Sequence, residues 1–343
     1  MHIIIHVGMH KTASTYIQKM LSINIELLRL HGIEYPVQSS DALIKSIQKR
    51  KLDPWIKLIK KSNPKAKLLI SDERLSNILA QQQEDKLIAS NGNWLAKKLK
   101  PYCSKITIIG FVRDQPGFIN SQFCQNTKRF SQITSSDFDA YIQDVFSGEY
   151  DMVECNPQKL FGWSLSNKLV EPIFISYNNS LSSDPFRQLI NKAVPTAEQE
   201  TWNKINVINK SPGRLTIHMA CALKRYIREE KIYLSQKKRL YLSYLLLKKT
   251  DSLGWNKEKY NAITNRRYAL IRDHYRLDND IFAVNAWNVD KWDDVFPVQA
   301  QYTTNYRIGI FDYLKVKIRS RKFIRRNFIE NRNLDKYIEA PPI

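Results

Sequence analysis

The sequence contains few cysteines, and their arrangement does not suit a structural role. The four cysteines are widely and unevenly spaced, and no two of them form a Cys-x-x-Cys pair; they are Cys103, Cys124, Cys155 and Cys221. Such spacing is typical of free thiols in a reducing compartment rather than of a disulfide framework or a zinc site. We therefore expect a cytoplasmic protein without disulfides and without a bound metal ion.

Long hydrophobic runs are also missing. The longest apolar run, near Tyr241–Leu247, is far shorter than the about 20 residues that cross a bilayer. The chain enters an Ile-rich segment directly after Met1, without the charged leader and apolar stretch of a signal peptide. No repeat or low-complexity linker interrupts the sequence, so we expect one continuous domain over residues 1–310.

Acidic residues are scarce relative to basic ones. The 343 residues include 54 Lys and Arg but only 33 Asp and Glu, which gives a formal net charge of +21. Such an excess attracts polyanions, whether nucleic acid, anionic lipid, a nucleotide phosphate or an acidic polysaccharide. The sequence carries no recognisable nucleic-acid-binding motif. We therefore expect no nucleic-acid partner, while a basic nucleic-acid-binding protein remains an alternative.

Four apolar, β-branched runs stand far apart in the first half of the chain, with helical patterns between them. The runs are His2–Val7, Lys67–Ser71, Lys105–Val112 and Pro172–Ser176. Strands that alternate with helices form parallel sheets covered on both faces. The fold class predicted here is therefore α/β, with a core over about residues 1–190.

The second half of the chain has a helical character. Ser211 and Pro212 form a cap and N1 proline that predict a helix start, and the helix continues over Leu215–Tyr233. Further helices are predicted near Leu240–Lys249 and Lys257–Tyr275. We expect a mainly helical part over about residues 191–310, followed by a basic C-terminal extension over 311–343.

A short polar segment follows the first predicted strand and leads into a predicted helix. Its residues are Gly8, Met9, His10, Lys11, Thr12, Ala13, Ser14 and Thr15. Free N–H groups and the helix dipole favour an anion at a helix N-terminus. Lys11 adds a full charge, and the three hydroxyls can donate to phosphate or sulfate oxygens. The segment predicts a phosphate-binding loop, although a capped helix with exposed hydroxyls would give the same pattern.

A second polar pair follows the strand that ends at Val112. Arg113 stands at the strand end, and Ser121 comes eight residues later in a segment, Phe118–Arg129, that is predicted to be helical. A guanidinium and a hydroxyl in these positions can hold one phosphate together. An Arg113 that simply pairs with Asp114 is the alternative.

Both segments resemble the donor-binding loops of sulfotransferases that use 3′-phosphoadenosine-5′-phosphosulfate (PAPS), of the bacterial glycan type. The first resembles their Gly-x-x-Lys-Thr-Gly-Thr-Thr loop, with Ala13 in place of Gly and Ser14 in place of Thr. The second resembles their 3′-phosphate site, an Arg followed eight residues later by Ser. Weaker similarities lie at Pro172–Tyr177, Asn206–Ser211 and Tyr275–Ala283, the last of which includes Asn279.

The resemblance implies a fold, a donor and a set of roles. The fold would be a P-loop-NTPase-like parallel sheet flanked by helices, and PAPS would be the sulfuryl donor, with no metal required. Residues Gly8 and Lys11 to Thr15 would hold the 5′-phosphosulfate, and Arg113 with Ser121 the 3′-phosphate. Lys11 would neutralise the leaving oxygen. The general base would be Glu73, with Asp72 and His10 as alternatives.

The resemblance also suggests partners. The acceptor would be a hydroxyl of a glycan or glycolipid, which makes the expected process carbohydrate sulfation. An amphipathic basic tail, with Ile318, Phe323, Ile324 and Phe328 among its cations, would contact an anionic membrane peripherally. A solvated helix face is the alternative for the tail.

Three other functions remain open for the whole chain. A P-loop kinase using ATP and magnesium would match Lys11 and Thr12 at the end of its Gly-x-x-x-x-Gly-Lys-Ser/Thr loop. However, Ile5 and His10 stand where the two glycines belong. The acidic Ser71–Glu73 segment, after the apolar strand that ends at Ile70, would then supply the magnesium-binding acid. The remaining alternatives are the nucleic-acid-binding protein and a sulfotransferase fold that has lost its donor site.

Overall fold

The computed structural model describes most of the chain. The described residues are 1–9, 11–36, 40–82, 90–131, 135, 137–148, 152–177, 184–197, 200–205, 211–298 and 304–330.

A five-stranded parallel sheet forms the centre of the α/β part. Its strands are β1 (His2–Gly8), β2 (Ile33–Glu34), β3 (Lys67–Ser71), β4 (Lys105–Arg113) and β5 (Glu171–Tyr177). They lie in the order β2-β3-β1-β4-β5, and each neighbouring pair is parallel. The predicted α/β fold class is confirmed, and the topology is consistent with a P-loop-like fold.

The long strands of the sheet consist mostly of apolar residues. Ile3, Ile4 and Ile5 in the central strand are essentially inaccessible to solvent, as expected for a parallel sheet covered on both faces. The chain moves to β3 on one side of β1 and later to β4 on the other. Ligands of doubly wound sheets bind at the carboxyl ends of strands where the order reverses in this way. The ends of β1 and β4 are therefore the place to look for a site.

The described residues contain fifteen α-helices, which alternate with the strands or follow them along the sequence. They are α1 (Ser14–Ile23), α2 (Ile25–Leu30), α3 (Ser40–Gln48), α4 (Asp53–Lys61), α5 (Arg74–Ala80), α6 (Asn91–Leu99), α7 (Gln115–Lys128), α8 (Phe138–Phe146), α9 (Pro157–Leu165), α10 (Pro185–Ala193), α11 (Arg214–Glu229), α12 (Gln236–Ser252), α13 (Asn265–Trp287), α14 (Trp292–Val295) and α15 (Ile310–Ile324). Short 3-10 helices occupy Lys100–Tyr102, Val153–Cys155 and Pro195–Ala197, and a π-helical segment occupies Arg325–Glu330.

The chain divides into two compact units. The first consists of Met1–Phe118, Val153–Ile208 and Tyr275–Val298 and contains the sheet. The second consists of Ile119–Met152, Asn209–His274 and Gln299–Ile343. Helices α7 and α13 each contribute residues to both units.

The second unit has a hydrophobic core of its own. Helix α11 supplies Met219 and Leu223, helix α12 supplies Leu242 and Leu246, and α15 adds buried side chains from the basic end of the chain. The described part of the predicted extension is therefore helical up to Ile324 and packs against α11.

Two predicted helix starts are wrong. Helix α11 begins at Arg214 rather than at Pro212 because Gly213 remains extended and forms an antiparallel bridge with Lys259. Helix α13 begins at Asn265 rather than near Lys257, and the Thr264 hydroxyl accepts a hydrogen bond from the Arg267 N–H. Thr264 is an ordinary N-cap signal that the pattern of apolar residues concealed.

None of the helices in the described part of the chain combines the length and the apolar composition needed to cross a membrane. None of the four cysteines, all of which lie in the described residues, forms a disulfide.

Candidate active site at the carboxyl edge of the sheet

The loop after β1 has an unusual backbone conformation. Met9 N–H donates to the Phe111 carbonyl (3.1 Å), which keeps the loop aligned with β4 before it turns. Lys11 and Ala13 then both adopt positive φ, 69° and 63°. Few non-glycine residues adopt this left-handed conformation, and such strain is common at ligand-binding loops. Helix α1 begins immediately afterwards, so its first N–H groups open onto the loop.

The three hydroxyls of the loop have different environments. The Thr12 hydroxyl is buried and donates to the Met9 carbonyl (2.6 Å), which closes the turn. Ser14 Oγ is buried and has no hydrogen-bond partner among the described residues, whereas Thr15 is exposed. A buried hydroxyl without a partner costs free energy unless a ligand or water supplies one. Ser14 is therefore the hydroxyl that most needs an external acceptor.

The strand that ends at Arg113 brings this residue to the loop. The Arg113 guanidinium donates from Nη1 to the Lys11 carbonyl (3.1 Å) and lies 6.0 Å from the centre of the Tyr177 ring. Burial lowers the pKa of Arg113 below its usual value, but an arginine side chain remains charged in proteins. The neighbouring carboxylate of Asp114 accepts a hydrogen bond from Trp292 Nε1 (3.0 Å). The Arg113 guanidinium is thus held against the backbone of the loop that carries Lys11.

A buried amide pair fixes the turn between Arg113 and α7. Gln115 and Asn279 are both almost fully buried, and their side chains exchange two hydrogen bonds. Gln115 is the first residue of α7, so the pair ties the start of this helix to α13. The sequence singled out Asn279 only through a weak resemblance. The structure gives it a positioning contact two residues from Arg113.

The end of β3 supplies two adjacent carboxylates. Asp72 is buried and accepts from the Arg74 guanidinium, at 3.0 Å from Nε and 2.6 Å from Nη2. The Arg74 guanidinium also pairs with Asp41 (2.6 Å). Glu73 lies at the start of α5 and is partly exposed. The Asp72 carboxylate is therefore held in an ion pair with Arg74, and Glu73 follows it at the same edge of the sheet.

His6 connects β1 to this carboxylate pair. Its ring is fully buried, its Nδ1 lies 2.7 Å from Ser71 Oγ, and its Nε2 has no partner within the described residues. Burial lowers the pKa of His6 to about 4, although the nearby Glu73 and Asp72 carboxylates act in the opposite direction. His6 is therefore neutral at physiological pH. No motif or spacing in the sequence distinguishes this histidine.

The remaining predicted positions are His10, the Asn206–Ser211 segment and Ser121. His10 lies outside the described residues, as does most of the Asn206–Ser211 segment. Ser121 lies on α7, the helix that follows Arg113, in the portion of that helix that belongs to the second unit.

The second unit contains a cavity of about 440 Å³. Aromatic and cationic side chains dominate its lining, which includes Phe123, Phe138, Tyr260, Tyr306, His218, Arg225, Arg267 and Arg307. Its size falls in the usual range for small-molecule pockets. The three guanidiniums come from α11, α13 and the segment before α15, so distant parts of the sequence converge on one basic cavity.

One arginine of the cavity is held rigidly and two remain accessible. Arg267 forms a bidentate ion pair with Asp139 (2.6 and 2.5 Å) and lies 4.8 Å from the Tyr306 ring centre. Arg225 and Arg307 are exposed. Burial lowers the pKa of His218, which contacts the Tyr306 carbonyl. The cavity therefore combines aromatic faces with two accessible positive charges.

Comparisons with known proteins identify no relative. The chain matches no family model, no curated protein and no solved structure.

Proposed function

We propose that the chain is a sulfotransferase that moves a sulfuryl group from PAPS to a hydroxyl of a glycan or glycolipid by in-line displacement. The observation that supports this most is the contact between the two predicted donor segments. The Arg113 guanidinium reaches the Lys11 carbonyl across 102 residues of sequence. Both segments stand at the carboxyl ends of strands next to the point where strand order reverses, where doubly wound folds bind ligands.

The loop fits a phosphosulfate group. Ser14 Oγ is buried and lacks a partner among the described residues, and a phosphate or sulfate oxygen would accept its hydrogen. A Cβ on Gly8 would come within 2.9 Å of Thr12 Oγ1, so the tight turn depends on a residue without a side chain. Gly8, Lys11 and the start of α1 would together hold the 5′ end of the donor.

Sulfuryl transfer requires little covalent chemistry from the protein itself. PAPS, when bound, supplies an activated sulfuryl group and a phosphate leaving group. Like phosphoryl transfer, the reaction depends on positioning and on charge stabilisation. Lys11 would neutralise negative charge on the leaving oxygen, and Arg113 would hold the 3′-phosphate. Glu73 would accept the proton of the acceptor hydroxyl.

A kinase fits the same edge of the sheet less well. Such an enzyme needs an acid to hold magnesium, and Asp72 is the acid in the corresponding position. The Asp72 carboxylate is instead occupied by Arg74. The loop also lacks the glycines that wrap a triphosphate.

For the acceptor, we infer a glycan that carries an acidic group. Support comes from the cavity of the second unit, whose aromatic rings suit the apolar face of a sugar. Its accessible Arg225 and Arg307 suit a carboxylate or sulfate. The strong positive charge of the whole chain, +21, would raise the local concentration of such a polyanion.

The experiment is transfer from radiosulfate-labelled PAPS to oligosaccharides, with magnesium chelated. We expect label in an acidic oligosaccharide that contains uronic acid and much less in its carboxyl-reduced counterpart. The double variant Arg225→Gln, Arg307→Gln should raise KM for the acidic acceptor while donor binding is unchanged. Equal KM values for the variant and the wild type would contradict the inferred acidic acceptor but not the sulfotransferase activity. No transfer to any hydroxyl would overturn the enzyme itself.

A further inference from the structure

Helix α15 packs on its own unit through a narrow apolar face. Val316, Ser320 and Phe323 are buried, and the two apolar residues belong to the core shared with α11. The spacing of four and three residues places all three on one side of the helix. Phe323 was expected to belong to a membrane-facing surface and is instead part of the core. The buried face of α15 is therefore part of the hydrophobic core of the second unit.

A second apolar face lies on the opposite side and is open. Ile310, Phe311, Leu314 and Ile318 expose 66%, 78%, 45% and 53% of their surfaces. At 100° per residue these four fall within an arc of about 100°, centred opposite the buried face. A contiguous exposed patch of large aliphatic and aromatic side chains marks an interaction surface rather than ordinary solvated surface.

Cations border this open face. Lys315, Lys317 and Lys322 lie at its two margins, with Arg321 on the face one turn beyond Ile318, and all four are exposed. Lys317 Nζ lies 5.8 Å from the Tyr313 ring centre. The single acid of the helix, Asp312, is directed toward Arg214 and Lys315. The open face therefore presents apolar side chains inside a positively charged border.

We propose that the open face of α15 binds the surface of an anionic lipid bilayer. A helix with an exposed apolar face and a cationic border lies in the interface of a membrane, with its apolar side chains below the headgroups and its cations among them. A second copy of the chain is the poorer occupant, because pairing the same face would bring two sets of cations together. A nucleic acid would bind the cations but leave the four apolar side chains exposed to water.

The test is co-sedimentation of the full chain with vesicles and needs neither donor nor acceptor. The vesicles contain phosphatidylcholine alone or phosphatidylcholine mixed with phosphatidylglycerol. We expect the wild type to sediment with the anionic vesicles and to be released by high salt, which screens the cations. The double variant Phe311→Asp, Ile318→Asp should weaken its partition by at least about tenfold, because it removes two apolar side chains and adds two negative charges.

Two further variants separate the surface from general effects. Leu30→Asp makes the same kind of exchange at an exposed leucine of the first unit and should leave vesicle binding unchanged. Lys315→Glu with Lys322→Glu should reduce binding to anionic vesicles. Three results would overturn the proposal. They are equal binding to both kinds of vesicle, unchanged binding of the Phe311 and Ile318 variant, or a wild-type dimer that this variant dissociates.

Discussion

Replacing Ala13 by glycine should stabilise the protein, although glycine usually destabilises a folded chain. Ala13 has φ 63° and ψ 18°, a left-handed conformation, immediately before α1. Holding an alanine there costs about 1–2 kcal/mol relative to glycine. The greater freedom of glycine in the unfolded chain returns about 0.5–1 kcal/mol of that difference. The Ala13→Gly variant should therefore gain roughly 0.5–1 kcal/mol in free energy of unfolding.

The assay is urea unfolding of both proteins, followed by far-UV circular dichroism. With slopes of about 1–3 kcal/mol per molar urea, the midpoint should rise by a few tenths of a molar. Ala42→Gly is the matched control, because Ala42 is exposed in helix α3 and should lose about 0.5–1 kcal/mol. If Ala13→Gly loses as much as the control, the fold does not impose the left-handed conformation and the reasoning is refuted.

The remaining predictions concern the base, the amide pair and the buried histidine. Glu73→Gln should lower kcat for sulfuryl transfer by about 10²–10⁴ and leave calorimetric donor binding unchanged; unchanged kcat would exclude it as the base. Asn279→Ala should cost about 1–3 kcal/mol in urea unfolding, because it leaves the buried Gln115 amide without its partner; a loss near zero would contradict that pairing. The His6 pKa of about 4 lies below the unfolded value of 6.5, so the unfolded state takes up the proton first as pH falls. Wild type should therefore lose about 3 kcal/mol more than His6→Gln between pH 6.5 and 4, and parallel pH profiles of unfolding would show that His6 is not buried.

The strands could be predicted because parallel strands are apolar throughout. The runs at His2–Val7, Lys67–Ser71, Lys105–Val112 and Pro172–Ser176 all form strands of one sheet. The strand Ile33–Glu34 could not be predicted, because two residues carry no alternation or run that a pattern can detect. The start of α11 could not be predicted for a different reason. Its first N–H, from Arg214, bonds to the distant Glu258 carbonyl (2.6 Å), and sequence spacing does not reveal such a partner.

The charged residues of the site were easier to predict than their contacts. Lys11 and Glu73 each follow a strand and Arg113 ends one, and parallel strands bring such positions to one edge. The positive φ angles of Lys11 and Ala13 could not be predicted, because lysine and alanine ordinarily avoid this conformation. The burial of Ser14, the use of the Thr12 hydroxyl inside the turn, and the pairing of Gln115 with Asn279 all depend on long-range packing. Patterns in the local sequence do not predict that packing.

The most direct test of the central claim is calorimetric binding of 3′,5′-adenosine bisphosphate, the desulfated donor product, without magnesium. Arg113→Ala is compared with wild type, and Arg29→Ala, an exposed arginine paired with Glu26 (2.7 Å), serves as the matched control. Loss of charge-assisted hydrogen bonds to one phosphate costs about 2–4 kcal/mol. The account predicts binding that Arg113→Ala weakens at least about thirtyfold and that Arg29→Ala leaves intact. Absence of bisphosphate binding, with ATP bound in the presence of magnesium instead, would contradict the sulfotransferase and favour the kinase.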